Sequence, residues 1–130
     1  MIHYKGHRVI VTGASSGIGR ELSIRLSKED NTVVLCGRSF ERLEETRTLM
    51  EQPDRHMIVP FDFLSGDDCS EIFEKAMNDG NECDGMVYCA GMAPVTPLRS
   101  ITQRMIEDVF TVNYTSFMCM VRDYAKKEIR

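Results

Sequence analysis

The sequence predicts an α/β fold, a doubly wound parallel sheet with strand order 3-2-1-4, in a single domain over residues 1–130. Two observations predict it. Short apolar runs alternate four times with longer amphipathic stretches. The runs themselves are apolar nearly throughout, as strands covered on both faces are.

The first run, Val9-Ile10-Val11, reads as a strand, and Ile18, Leu22 and Leu26 follow at helical spacing. TVVLC at 32–36 is a buried strand. Ser39 stands where an N-cap belongs before the charged helix predicted over 39–51, in which Leu43, Leu49 and Met50 are apolar and which Pro53 ends. Residues 57–61 form a third strand despite Pro60, and Ile72, Phe73 and Met77 mark a third helix. Residues 86–89 form the fourth strand, entered through Cys83-Asp84-Gly85. Pro94 and Pro97 keep residues 92–99 out of a helix, and Ser100 with Gln103 resembles a capping box opening the last one. There Ile106, Val109, Phe110, Tyr114, Phe117, Met118, Val121 and Tyr124 form a wide apolar sector, facing either the sheet or the helix of a second copy. The order leaves strand 4 at an edge, although MVYCAG suits a central strand, so the sheet reads as truncated after four βα units.

Composition narrows the function classes. With 42% hydrophobic and 28% charged residues, the chain is that of a folded globular protein. Its net charge of −4, with no basic run longer than Lys126-Lys127, argues against a nucleic-acid partner. No apolar stretch approaches the roughly 18 residues of a membrane span, and MIHYKGHR has no leader-like apolar core, so no membrane is expected and a cytoplasmic location is. Five cysteines without a C-x-x-C pair read as reduced thiols. His3, His7 and His56 lack ligand spacing with them, so no metal site is expected.

VTGASSGIG at 11–19 carries the chemistry. Gly13, Gly17 and Gly19 fall where strand 1 turns into helix 1, with Thr12, Ser15 and Ser16 adding hydroxyls. Bare backbone admits a phosphate, and the first turn of the helix offers it unpaired N–H groups and a positive dipole end. A tight turn with close helix–strand packing would use the same glycines. Gly-Lys-Ser/Thr is absent, which excludes a P-loop, and the spacing is G-x-x-x-G-x-G rather than G-x-G-x-x-G.

TGASSGIG resembles the glycine motif of the short-chain dehydrogenase/reductase family, whose fold is of the Rossmann type. The resemblance implies cofactor contacts from Gly13, Ser15, Ser16, Gly17, Ile18 and Gly19. CGR at 36–38 ends strand 2 where a carboxylate would take the ribose 2′-hydroxyl of NAD. Gly37 and Arg38 stand there instead, and a guanidinium suits a 2′-phosphate, so NADP is expected over NAD. FDF at 61–63 assigns Asp62 to the adenine edge with Phe63 beside it. YCAG at 88–91 resembles the family's N-N-A-G: Ala90 and Gly91 match, while Tyr88 and Cys89 replace the asparagines. TVN at 111–113 gives Asn113 the position of the family's structural and catalytic asparagine.

The family's acid–base pair, Y-x-x-x-K, is absent, and so is the serine-bearing strand before it. Tyr124 and Lys127 stand one residue too close together and share a helix with Asn113. The expected function is therefore that of an NADP(H)-dependent reductase of a carbonyl or alcohol substrate, seen as its cofactor-binding half and inactive alone. The alternative is a non-catalytic NAD(P)-binding or sensing module. A methyltransferase is disfavoured, because the end of strand 2 lacks an acid for the ribose. In the full-length protein the helix at 102–124 is expected to pair with its copy in a homo-oligomer.

Overall fold

The computed structural model describes residues 4–128. Strands β1 (Arg8–Thr12), β2 (Thr32–Gly37), β3 (Met57–Pro60) and β4 (Gly85–Tyr88) form one parallel sheet in the order β3-β2-β1-β4. Helices α1 (Gly17–Lys28), α2 (Phe40–Thr48) and α3 (Ser70–Ala76) lie in the crossovers. Helix α4 (Gln103–Phe110) then runs through a π-helical turn (Thr111–Thr115) into α5 (Ser116–Glu128).

Alternation along the strands splits the core in two, because successive strand side chains face opposite ways. Ile10, Val34, Cys36 and Val59 pack on one face with Ile72, Phe73 and Ala76 of α3 and Met120 of α5. Val9, Val11, Val33 and Leu35 pack on the other with Leu43 of α2 and Leu22 and Leu26 of α1. Ile10, Val11, Val33, Val34 and Leu35 are fully buried, each contributing about 1.5–3 kcal/mol relative to exposure. This double covering is what their nearly unbroken apolar runs require.

The side-chain network at the foot of the sheet fixes where the chain enters it. The guanidinium of Arg8 donates to both carboxylate oxygens of Asp79, at 2.7 and 2.6 Å, and to the Ala76 carbonyl at 2.8 Å. Asn31, fully buried between α1 and β2, donates to the carbonyls of Tyr4 and Leu26 and accepts from the His7 N–H.

The expected cap of α2 is found, and three other local expectations need correction. Ser39 caps α2 by accepting from the Arg42 N–H. The last helix, however, is capped by Thr102, which accepts from the Met105 N–H, and not by Ser100. Ser100 ends a short 3-10 turn, Leu98–Ser100, that follows Pro97, so helical turning begins inside the 92–99 stretch expected to stay out of a helix. Ile18 leaves the apolar face of α1 altogether, at 80% exposed. At the free edge of the described sheet, Val87 of β4 is exposed.

The long helix buries Ser116 and Met120 against the sheet and leaves Ile106, Phe110, Tyr114, Phe117 and Val121 exposed. Its wide apolar sector is thus shared, with one side covered by this chain and the other bare.

His56 makes the start of β2 sensitive to acid. It is buried, its Nδ1 accepts from the Val33 N–H at 3.1 Å, and its Nε2 lies 2.8 Å from the Glu51 carbonyl. Those partners require the neutral ring with its proton on Nε2. Burial, with Arg55 and Arg47 nearby, lowers its pKa, against the raising effect of the Glu51 bond. A depressed histidine stabilises the fold fully above its unfolded value of about 6.5 and loses that contribution as pH falls toward the folded value. We expect the urea midpoint to fall between about pH 7.5 and about pH 5.5, with the His56 ring titrating below about 6.5 by NMR. A ring that titrates above that value would contradict this.

Candidate functional site

The site forms where β1 hands over to α1. Gly13 lies at φ +65°, and a Cβ there would stand 2.8 Å from the backbone of Cys89 and Ala90. At Gly19 a Cβ would lie 2.2 Å from the Gly13 carbonyl oxygen, so α1 sits closer to the strand end than any side chain permits. Helix α1 begins at Gly17, itself at φ +54°, and its first turn holds no acidic residue. Ser16 precedes it in extended backbone, its hydroxyl making no capping bond. First-turn N–H groups lack acceptors within a helix, and here they open on the cleft lined by Ser16, Gly17, Ile18 and Gly19.

Hydroxyls behind the loop hold it rigid. Thr12, fully buried, accepts from the Cys89 N–H at 3.0 Å and the Ala90 N–H at 3.2 Å, tying the end of β1 to the end of β4. Of the three hydroxyls the loop offers, that of Thr12 turns inward. Thr46 of α2 donates to the Ala14 carbonyl at 2.8 Å, and Ser23 donates to the Gly19 carbonyl at 2.7 Å. The Ala14 N–H reaches the Cys36 carbonyl, adding β2 to the same junction.

The cleft so framed has a volume of about 370 Å³ and lies along the carboxyl ends of the strands. Gly13, Ser15, Ser16, Gly17, Ile18 and Gly19 form its floor, and Gly37, Arg38 and Arg42 its wall beyond β2. Phe61, Phe63 and Leu64 close it past β3; Cys89, Ala90, Gly91, Met92 and Val112 close it past β4. Asp62 does not line it: this exposed carboxylate accepts from the Leu64 N–H at 2.9 Å. The described lining therefore carries two guanidinium groups and no carboxylate.

Asn113 faces an adjoining hollow of about 580 Å³, shared with Tyr88, Ala90, Gly91, Met92, Ala93 and Phe117. Its amide is engaged twice by one residue: Oδ1 accepts from the Met92 N–H and Nδ2 donates to the Met92 carbonyl, both at 2.8 Å. The π-turn that carries Asn113 breaks the regular helical bonding, and the Tyr88 hydroxyl donates to the Val112 carbonyl there at 2.5 Å. Tyr88 packs between Phe63 and Phe117, and burial raises its pKa well above that of a free phenol. It is a proton-holding bolt rather than a base.

The thiols point the same way. Burial pushes Cys36 up to about 12 and Cys69 up to about 11, and raises Cys89, so none of these three is a ready thiolate. Among the described residues no group of three or more His, Cys, Asp or Glu can hold a metal ion, and no helix is long and apolar enough to cross a membrane.

Sequence reasoning placed Gly37 at the end of strand 2 but missed Arg42, Phe61, Leu64, Cys89, Met92 and Val112 as wall residues. Arg42 carried a usable signal, a second arginine four residues past Arg38, just inside the helix that follows it. The part played by Met92 carried none, because its backbone and not its side chain does the work.

Comparison with known proteins adds the family. The short chain dehydrogenase model matches residues 7–129. Glucose 1-dehydrogenase of Gluconobacter oxydans (strain 621H) is 30% identical over 122 residues, 92% of this chain and 46% of that protein. The 11-beta-hydroxysteroid dehydrogenase A of Sesamum indicum is 28% identical over 121 residues, 90% of this chain and 34% of its own. Among solved structures, an Escherichia coli CFT073 protein assigned to the short chain dehydrogenases and complexed with NADPH superposes with a TM-score of 0.83 at 25% identity, covering 95% of this chain and 54% of that one. The chain thus spans about half the length, or less, of the proteins it matches.

The inward hydroxyl of Thr12 gives a direct test of the junction. Replacing it with valine leaves the Cys89 and Ala90 N–H groups without their acceptor, at a cost of about 1–3 kcal/mol. Thr12→Ser should recover most of that in urea unfolding; equal stability of Thr12→Val and the parent would contradict the latch.

Proposed function

The chain belongs to the short-chain dehydrogenase family, and on that footing we propose that it binds NADP(H) in the cleft at the strand ends and forms the cofactor-holding half of a carbonyl or alcohol oxidoreductase. The observation that carries this reading is the wall beyond β2, where Arg38 lines the cleft and no carboxylate does. An acid there would grip a ribose 2′-hydroxyl and repel a 2′-phosphate; a planar guanidinium does the reverse. The residues suit the cofactor elsewhere too. A Cβ at Gly17 would meet nothing within 4 Å, so the outer side of the loop has room for a pyrophosphate beside the first-turn N–H groups of α1. The NADPH complex of the Escherichia coli relative supports the choice of ligand.

The bound nicotinamide would supply or accept a hydride. The chain's own residues position it. Backbone at Ala90 and Gly91 forms the near wall, and Asn113 is a positioning residue that holds the Met92 backbone beside it. Asp62 is proposed at the adenine edge as a rim group, since its carboxylate is occupied by the Leu64 N–H. The Y-x-x-x-K pair that performs proton transfer in the family is not among residues 1–130.

A second copy is the proposed partner of the bare side of the long helix, where Phe110 and Tyr114 are 62% and 60% exposed. Light scattering at micromolar concentration should give a dimer or larger, and Phe110→Glu should shift it toward monomer; a monomeric parent would count against this.

Fluorescence titration tests the cofactor assignment. NADPH should bind more tightly than NADH, and Arg38→Ala should weaken NADPH roughly ten-fold or more, the loss of a charge-assisted bond worth about 1.5–3 kcal/mol, while leaving NADH nearly unchanged. Equal affinities for the two in the parent would overturn it.

A further inference from the structure

Arg42 is the residue of the cleft that neither the fold nor the family motif accounts for. It lies in the first turn of α2, while Arg38 precedes the extended N-cap Ser39, and both residues line the same wall. The other cations packed around α2 are neutralised. Arg47 pairs with Glu44 at 2.6 Å, and Arg20 pairs with Glu45 at 3.3 Å while also donating to Thr46. Among the described residues neither Arg38 nor Arg42 has an ion pair, although Glu41 stands between them in sequence. The carboxylate of Glu41 lies instead 3.2 Å from the Ser39 hydroxyl, and Ser39 fixes the turn by accepting from the Arg42 N–H. Two uncompensated guanidinium groups therefore share one end of a cleft whose described lining has no carboxylate.

We infer that Arg38 and Arg42 together form a two-cation site for a phosphate monoester dianion, with Arg42 a second determinant of preference for a 2′-phosphorylated adenosine. This rests on the NADP(H) reading above and sharpens it. A monoester carries close to two charges at neutral pH and falls to one below its second pKa of about 6. A single guanidinium can satisfy only part of it; two on one wall of the cleft match both its charge and its several acceptor oxygens. Each cation removed should cost binding of the dianion and leave the unphosphorylated ribose indifferent.

The test is calorimetric titration of the chain with adenosine 2′,5′-bisphosphate and with adenosine 5′-monophosphate, which share the adenosine and differ in the 2′-phosphate. The parent should favour the bisphosphate. Arg42→Ala should lower the ratio of the two affinities about five-fold or more, Arg42→Lys should restore part of it, and the double variant with Arg38→Ala should abolish it. Circular dichroism spectra matching the parent establish that the variants are folded. The parent's ratio should also shrink between about pH 7.5 and about pH 5 as the monoester gains its second proton. A ratio that Arg42→Ala leaves intact while Arg38→Ala lowers it would overturn the role of Arg42 and leave the NADP(H) reading standing. Equal binding of both ligands by the parent, or binding of neither, would overturn that reading and this inference with it.

Discussion

Four pieces of backbone meet at Gly13 with no space for a side chain. Its carbonyl lies where a Cβ on Gly19 would be, and its own missing Cβ leaves room for Cys89 and Ala90. The Ala14 N–H beside it takes the Cys36 carbonyl. The ends of β1, β2 and β4 and the first turn of α1 are thereby locked at one point, with Thr12 below and Thr46 behind. Every wall of the cleft is a continuation of one of those elements or of their neighbours, so its shape follows from this packing rather than from the loops alone. A parallel sheet wound in the order 3-2-1-4 opens a crevice where the connections from β1 and β4 leave in opposite directions, and the glycines let a helix start inside it.

Rigidity at that junction contrasts with the way the far wall is held. There the backbone at Met92 is gripped by Asn113, and the π-turn bearing Asn113 is held in turn by the Tyr88 hydroxyl. The family motif has an asparagine where Tyr88 stands. The substitution removes an amide and supplies a longer side chain that reaches across to the Val112 carbonyl, between Phe63 and Phe117. Cleft wall, aromatic packing and helix irregularity are one connected unit on this side, linked by the paired Asn113–Met92 bonds and the single Tyr88–Val112 bond.

Much of this was legible in the sequence. Apolar runs such as TVVLC marked the strands because strands buried on both faces have no polar alternative, and the right-handed crossover rule then selected the order. The glycine spacing marked the cleft floor because backbone proximity leaves a signature in residue type. Where function rests on which of several similar groups is used, that signature fades. Thr102 and Ser100 are both competent caps, and the 3-10 turn after Pro97 decides between them. Thr12 could face the ligand or the sheet, and strand alternation together with the β4 backbone decides that. The π-turn has no compositional mark, and the Met92 backbone clamp could not be read from the identity of Met92.

The crevice built around Gly13 and Gly19 is the proposed nucleotide site. Amide NMR spectra of the ¹⁵N-labelled chain, recorded with and without NADPH, test it most directly because they report position as well as binding. Shifts should concentrate at Ser15, Ser16, Gly17, Ile18 and Gly19, at Gly37 and Arg38, and at Ala90 and Gly91, with α3 and the foot of the sheet unchanged. Spectra that do not respond to NADPH, or that respond only away from this crevice, would contradict it.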